Sequence, residues 1–144
     1  MSSRYPTVAT EIIGSMRHLL DQLVAGSPGV IGALVASVDG FALASNVPVG
    51  LPSTDAAGLA AMSAAALGVS NRLVGAVGRE PAREVTLRSP SGQVMVYRIA
   101  NVAALTVLTD ASVDVERLHA VSREVANGIE RLLRGAASLA APRT

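Results

Sequence analysis

Few side chains in this sequence are of a type that does chemistry. Histidine occurs twice, as His18 and His119, and cysteine does not occur. Without cysteine there can be no disulfide, thiolate metal site or cysteine nucleophile. The two histidines fall on different expected helices, each on a mostly polar face, and neither has a second His or Cys at metal-ligand spacing. They read as solvated helix residues. All 12 basic residues are arginine, so the lysine of a G-x-x-x-x-G-K-[ST] phosphate loop is missing. Gly26-Ser27-Pro28-Gly29-Val30-Ile31-Gly32 precedes a strand instead of joining a strand to a helix, which removes it as a dinucleotide loop. No G-x-S-x-G nucleophile elbow occurs.

Five arginines (Arg72, Arg79, Arg83, Arg88 and Arg98) crowd one stretch. A guanidinium offered to a partner could stabilise charge on a transferred phosphoryl group. Nothing local marks any of the five for that task, and solvated or interface-rim roles suit them better. Asp39 could be imagined as a metal ligand or acid, but Asp39-Gly40 is turn chemistry. The expectation is therefore no metal, no cofactor and no enzyme. A formal net charge of +1 gives no pull towards nucleic acid or an anionic membrane. With Phe and Tyr totalling three and no Trp, a base-stacking surface has little to build on. The amino terminus lacks a signal-peptide core, and the apolar runs read as shorter than the roughly 18 residues of a membrane span. A cytoplasmic protein without membrane insertion is expected.

The elements that would position any site follow from periodicity. Residues 1–7 read as a flexible amino terminus, 8–134 as one domain and 135–144 as a flexible tail. From Thr7 to Ala25, Ile12, Met16, Leu19, Leu20 and Leu23 line one helical face, and Gly26 to Gly29 end the helix. Val30–Val38 is an apolar run suited to a strand covered on both faces. Asp39-Gly40 then turns it into Phe41–Ser45 as a hairpin. Glu84–Arg88, Val94–Ile99 and Val102–Leu108 read as three more strands, and Val115–Arg134 as a last helix stopped by Gly135. The order α-β-β-α-β-β-β-α with short connections predicts an α+β domain. It has one five-stranded antiparallel sheet with helices on both faces.

The second helix, Thr54 to Gly78, is the unusual element. Ser53 or Thr54 would cap it, with Asp55 in its first turn. Between Asp55 and Arg72 it carries no charge. Leu59, Met62, Ala66, Val69 and Leu73 form one stripe, expected to face the core. The opposite side offers Ala57, Ala61, Ala64 and Gly68. A helix apolar all round is buried all round, and in a chain this short the second cover is expected from another molecule. A flat uncharged strip about 30 Å long suits an interface core.

Taken together, Gly29 to Ser45 (G-V-I-G-A-L-V-A-S-V-D-G-F-A-L-A-S), Leu59 to Gly68 (L-A-A-M-S-A-A-A-L-G), Arg83 to Arg98 and Ala104 to Asp110 resemble the roadblock/dynein light-chain family, over roughly Val8 to Arg134. The resemblance implies a homodimer in which second helices pack side by side and third strands pair into a ten-stranded sheet. It also implies a bacterial partner, a Ras-like small GTPase. MglB-type members bind it across the second-helix face and stimulate its hydrolysis without a catalytic arginine, while others are scaffolds. Carried onto this sequence, the partner contacts are Ala57, Ala61, Ala64, Ala65, Gly68 and Arg72. The alternative reading is a small-molecule-sensing or signalling adaptor domain, which the lack of polar groups converging on a pocket disfavours.

Overall fold

A computed structural model describes residues 4–140 of the chain, with side chains from 9 to 137. Helix α1 spans Arg4–Gly26, β1 Val30–Ser37, β2 Ala42–Asn46, α2 Ala56–Ala76, β3 Glu84–Ser89, β4 Gly92–Ile99, β5 Ala103–Thr109 and α3 Val115–Ala140. The strands form one sheet in the order β2-β1-β5-β4-β3, antiparallel throughout. The expected α+β architecture and element order are thus observed.

Alternation along each central strand decides the two layers. Ala33, Val35, Met95, Tyr97, Ile99, Leu105 and Val107 point to one face, where Met16, Leu20 and Leu23 of α1 and Leu118 and Ile129 of α3 cover them. This is the main core. The other face presents Leu34, Ala36, Val96, Ala104 and Thr106, and α2 lies across it. Ala60 packs on Leu34 and Ala36 of β1, and Leu67 on Ala104 of β5, Val96 of β4 and Val85 of β3. Helix α2 therefore runs diagonally from the β1 side to the edge strand β3. Three of its side chains, Ala60, Ser63 and Leu67, are buried.

Two turns show why the connections are short. Gly40 adopts φ 89°, the left-handed conformation that costs glycine little. Its turn is closed by Gly40 N donating to Ser37 O at 3.0 Å and Ser37 N to Phe41 O at 2.8 Å. Gly92 adopts φ 155°, and a Cβ there would overlap the carbonyl oxygen of Thr109.

Several boundaries differ from expectation. The cap of α2 is Asp55, whose carboxylate accepts from Gly58 N at 2.9 Å, not Ser53 or Thr54. Helix α1 begins at Arg4, inside the segment expected to be flexible, and residues 1–3 lie outside the described ones. Helix α3 passes through Gly135 and continues to Ala140. An internal glycine costs only about 1 kcal/mol relative to alanine, and the Ala- and Leu-rich residues after it are strong helix formers. Of the expected tail, residues 141–144 lie outside the described ones.

Candidate functional site

The rotation of α2 on the sheet determines what it offers outward. The sheet below it is paved with small residues, Ala36 and Ala104, so the helix approaches through Ala60 and Ser63. Thr106 Oγ1 donates to Ser63 Oγ at 2.7 Å, both residues being buried. Further along, Asn71 Oδ1 accepts from Ala82 N at 2.9 Å and ties the end of α2 to the segment leading into β3.

This orientation overturns the expected core stripe. Met62 and Val69 are each 55% exposed and Leu73 is 69% exposed, while Leu59 and Ala66 are half-buried. The reason is physical: a helix apolar on every side has no amphipathic preference to set its rotation. Close packing on small sheet residues and one buried hydroxyl pair set it instead. The carried-over contacts mostly face outward as expected. Ala57, Ala61, Ala65, Gly68 and Arg72 are exposed. Ala64 is half-buried and leans towards Gly40 in the β1–β2 turn. The outward surface thus combines small residues with large ones, and Arg72 is its one charge. Phe41, 71% exposed, and Val38, 55% exposed, extend the apolar surface onto the β1–β2 turn.

The same helix corrects the expectation about apolar runs. Over Ala56–Ala76 it is long and apolar enough to cross a membrane, with 17% of its most apolar window buried in the domain. A helix that must be covered by another protein passes the same test of length and composition.

A polar site that periodicity did not show lies on the opposite layer. His119 was expected to be solvated, but its Nδ1 is 2.6 Å from Tyr97 Oη and 3.2 Å from Glu84 Oε2. Arg123 Nη2 donates to Glu84 Oε1 at 2.5 Å. Tyr97 is buried on β4 directly opposite Glu84 on β3, and α3 brings His119 and Arg123 over both. Burial pushes the Tyr97 phenol up to about 12. The guanidinium of Arg123 is raised further by its hydrogen bond to Glu84. An open cleft of about 300 Å³ adjoins this group, between α3 and the β3–β4 strands, and Arg83, Asn127 and Glu130 also line it. Polar groups do therefore converge on a cleft. They largely satisfy one another, Glu84 through Arg123 and Glu130 through Arg134 at 3.2 Å. The signal missed in the sequence was the pairing of β3 with β4, which alone places Glu84 beside Tyr97. Among the described residues no group of three His, Asp or Glu could hold a metal.

A family model for the Roadblock/LC7 domain matches residues 16–109, well over half the chain. The chain belongs to the Roadblock/LC7 family. Solved structures agree on the fold. A structure of MglB with a tetrameric arrangement superposes with a TM-score of 0.77 at 17% identity, over 87% of this chain and 92% of that one. A Roadblock/LC7 domain from Streptomyces avermitilis gives 0.73 at 20% identity, covering 82% and 97%. MglB of Myxococcus xanthus gives 0.76 at 11% identity, covering 84% and 96%. No curated protein sequence matches the chain.

Proposed function

We propose that this Roadblock/LC7 protein is a homodimeric regulator or scaffold of a bacterial Ras-like small GTPase. It acts in the cytoplasm by binding and carries out no catalysis of its own. The observation that carries this reading is the outward face of α2, exposed along five turns and charged only at Arg72. Apolar surface of that extent suits a protein partner. The edge strand β3 supports the dimer, because its outer side pairs with no strand among the described residues, and open edges are covered in stable proteins. The likeness to MglB structures, and the partner that the resemblance implies, give the GTPase its place in the reading. Any stimulation of hydrolysis would come from ordering the GTPase's own residues, in keeping with the MglB-type members that the resemblance brings in, which supply no catalytic arginine.

The test is Gly68→Arg, at a position where a side chain meets nothing within 4 Å and the fold is left intact. Binding of the Ras-like GTPase encoded nearest to this chain is measured by calorimetry. Lost binding is expected, and unchanged affinity would move the interface off α2. A single-turnover GTP hydrolysis assay with and without the protein then separates stimulation from scaffolding.

A further inference from the structure

Strand register sets two arginines directly against each other. Glu84 stands opposite Tyr97, so the next pair outward is Arg83 and Arg98, joined by Arg98 N donating to Arg83 O at 2.8 Å. Like charges directly opposite on neighbouring strands repel. Among the described residues neither arginine has a carboxylate partner. Arg98 Nη1 donates at 3.1 Å to Asn101 Oδ1, a neutral amide. Arg83 makes no side-chain hydrogen bond or ion pair among the described residues. Arg98 is also half-buried, where a guanidinium without a counter-charge is costly.

Both arginines border the cleft of about 300 Å³ between α3 and the β3–β4 strands. Alternation turns them off the sheet face that carries Tyr97, so they reach the cleft around the end of the sheet, beside the β4–β5 turn. Ala100 of that turn also lines the cleft and holds φ 49°, a left-handed conformation that alanine adopts only at a cost. The far wall is α3, with Asn127 and Glu130. The other charges here are paired, Glu84 with Arg123 and Glu130 with Arg134. The two charges of Arg83 and Arg98 are left over.

From this excess of positive charge we infer that the cleft binds a small phosphate monoester, a ligand that the GTPase reading neither requires nor supplies. A monoester carries about −1.5 to −2 charges at neutral pH, which matches two guanidinium groups, whereas a carboxylate would neutralise one. The guanidinium fork fits phosphate oxygens two at a time. A phosphate held between Arg83 and Arg98 replaces their mutual repulsion with a shared attraction. On the opposite wall Asn127 and Glu130 offer an amide and a carboxylate, which suit hydroxyl groups on the organic part. The cleft lies at the lower end of the size range of ligand sites, so that organic part is a few carbons long.

The experiment titrates the full chain by calorimetry in a phosphate-free neutral buffer. Glycerol 3-phosphate and inorganic phosphate are the probes, and glycerol is the uncharged control. Glycerol 3-phosphate is expected to bind at least about 10-fold more tightly than inorganic phosphate, and glycerol not at all. Arg83→Gln and Arg98→Gln should each weaken it at least about 10-fold. Arg79→Gln removes the same charge from an exposed position off the cleft and should leave the affinity unchanged. Thermal unfolding tells binding from a structural role. Without phosphate, Arg83→Gln should keep or raise the Tm, because it removes one of two opposed charges. Saturating glycerol 3-phosphate should raise the Tm of the wild type and leave that of Arg83→Gln in place. No binding heat and no Tm shift with either phosphate would overturn the site. So would an Arg79→Gln loss equal to that of Arg83→Gln, or a Tm that falls in phosphate-free Arg83→Gln. Inorganic phosphate binding as tightly as glycerol 3-phosphate would overturn the monoester. None of these outcomes depends on whether a GTPase binds α2.

Discussion

The hydroxyl pair Ser63–Thr106 is the structural detail on which the rotation of α2 depends, and its removal can be worked through. Ser63→Ala deletes the acceptor 2.7 Å from Thr106 Oγ1 and leaves that hydroxyl on a fully buried sheet position. An unsatisfied buried hydroxyl costs about 1–3 kcal/mol. Thr106→Val is isosteric, and the Ser63 hydroxyl it abandons can turn to a carbonyl of its own helix, so its cost lies at the low end of that range. The double variant removes both polar groups together and is expected within about 1 kcal/mol of wild type. The cycle therefore shows a coupling of about 1–2 kcal/mol. Urea unfolding followed by circular dichroism measures each corner, and the singles should also lose about 3 °C of Tm per kcal/mol. Costs that simply add, or a neutral Ser63→Ala, would refute the view that this pair seats the helix.

Other outcomes follow from the remaining sites. Gly92→Ala forces a side chain onto the Thr109 carbonyl and should destabilise by about 1–3 kcal/mol in the same assay. Tyr97 has its folded value raised from 10.0 to about 12, so its contribution is fully present below pH 10 and is lost as pH rises through about 12. Alkaline unfolding monitored between those limits should lose that limb in Tyr97→Phe. Asp21 is held below the usual carboxylate range, chiefly by the hydrogen bond from Arg17 at 2.9 Å. Its contribution is present above 3.8 and fades as pH falls through the lowered value. Asp21→Asn should flatten the acid limb slightly, as suits an exposed pair. His119→Ala removes the neighbour of the buried Tyr97 hydroxyl and should cost about 1–2 kcal/mol by urea unfolding.

The sheet was legible because its signals are local. Asp39-Gly40 marks a hairpin, and the apolar run of β1 marks a strand covered on both faces. The last helix was legible in type and start from its alternating polar and apolar faces. What escaped the sequence has one common cause. The stripe Leu59, Met62, Val69 and Leu73 was visible, but its direction was not, because periodicity reports a face and not what covers it. Ala60, Ser63 and Leu67 took the inner side for reasons lodged in β1, β4 and β5. Glu84, Tyr97 and His119 meet only after β3 pairs with β4 and α3 folds over them, a coincidence of three distant segments. Gly135 failed as a stop signal since nothing after it opposed continuation of the helix.

The layer that pairs α1 with α3 has a consequence for how the chain becomes a domain. The two helices stand at opposite ends of the sequence, and β1 takes β5 as its neighbour across more than sixty intervening positions. Met16, Leu20 and Leu23 consequently have only β1 and β2 to pack on until Leu118 and Ile129 have left the ribosome. Folding of this domain is a late, collective event that awaits the synthesis of α3. A chain cut short within α3 would expose the part of the apolar sheet face formed by β4 and β5, so truncation should yield aggregates instead of a smaller folded core.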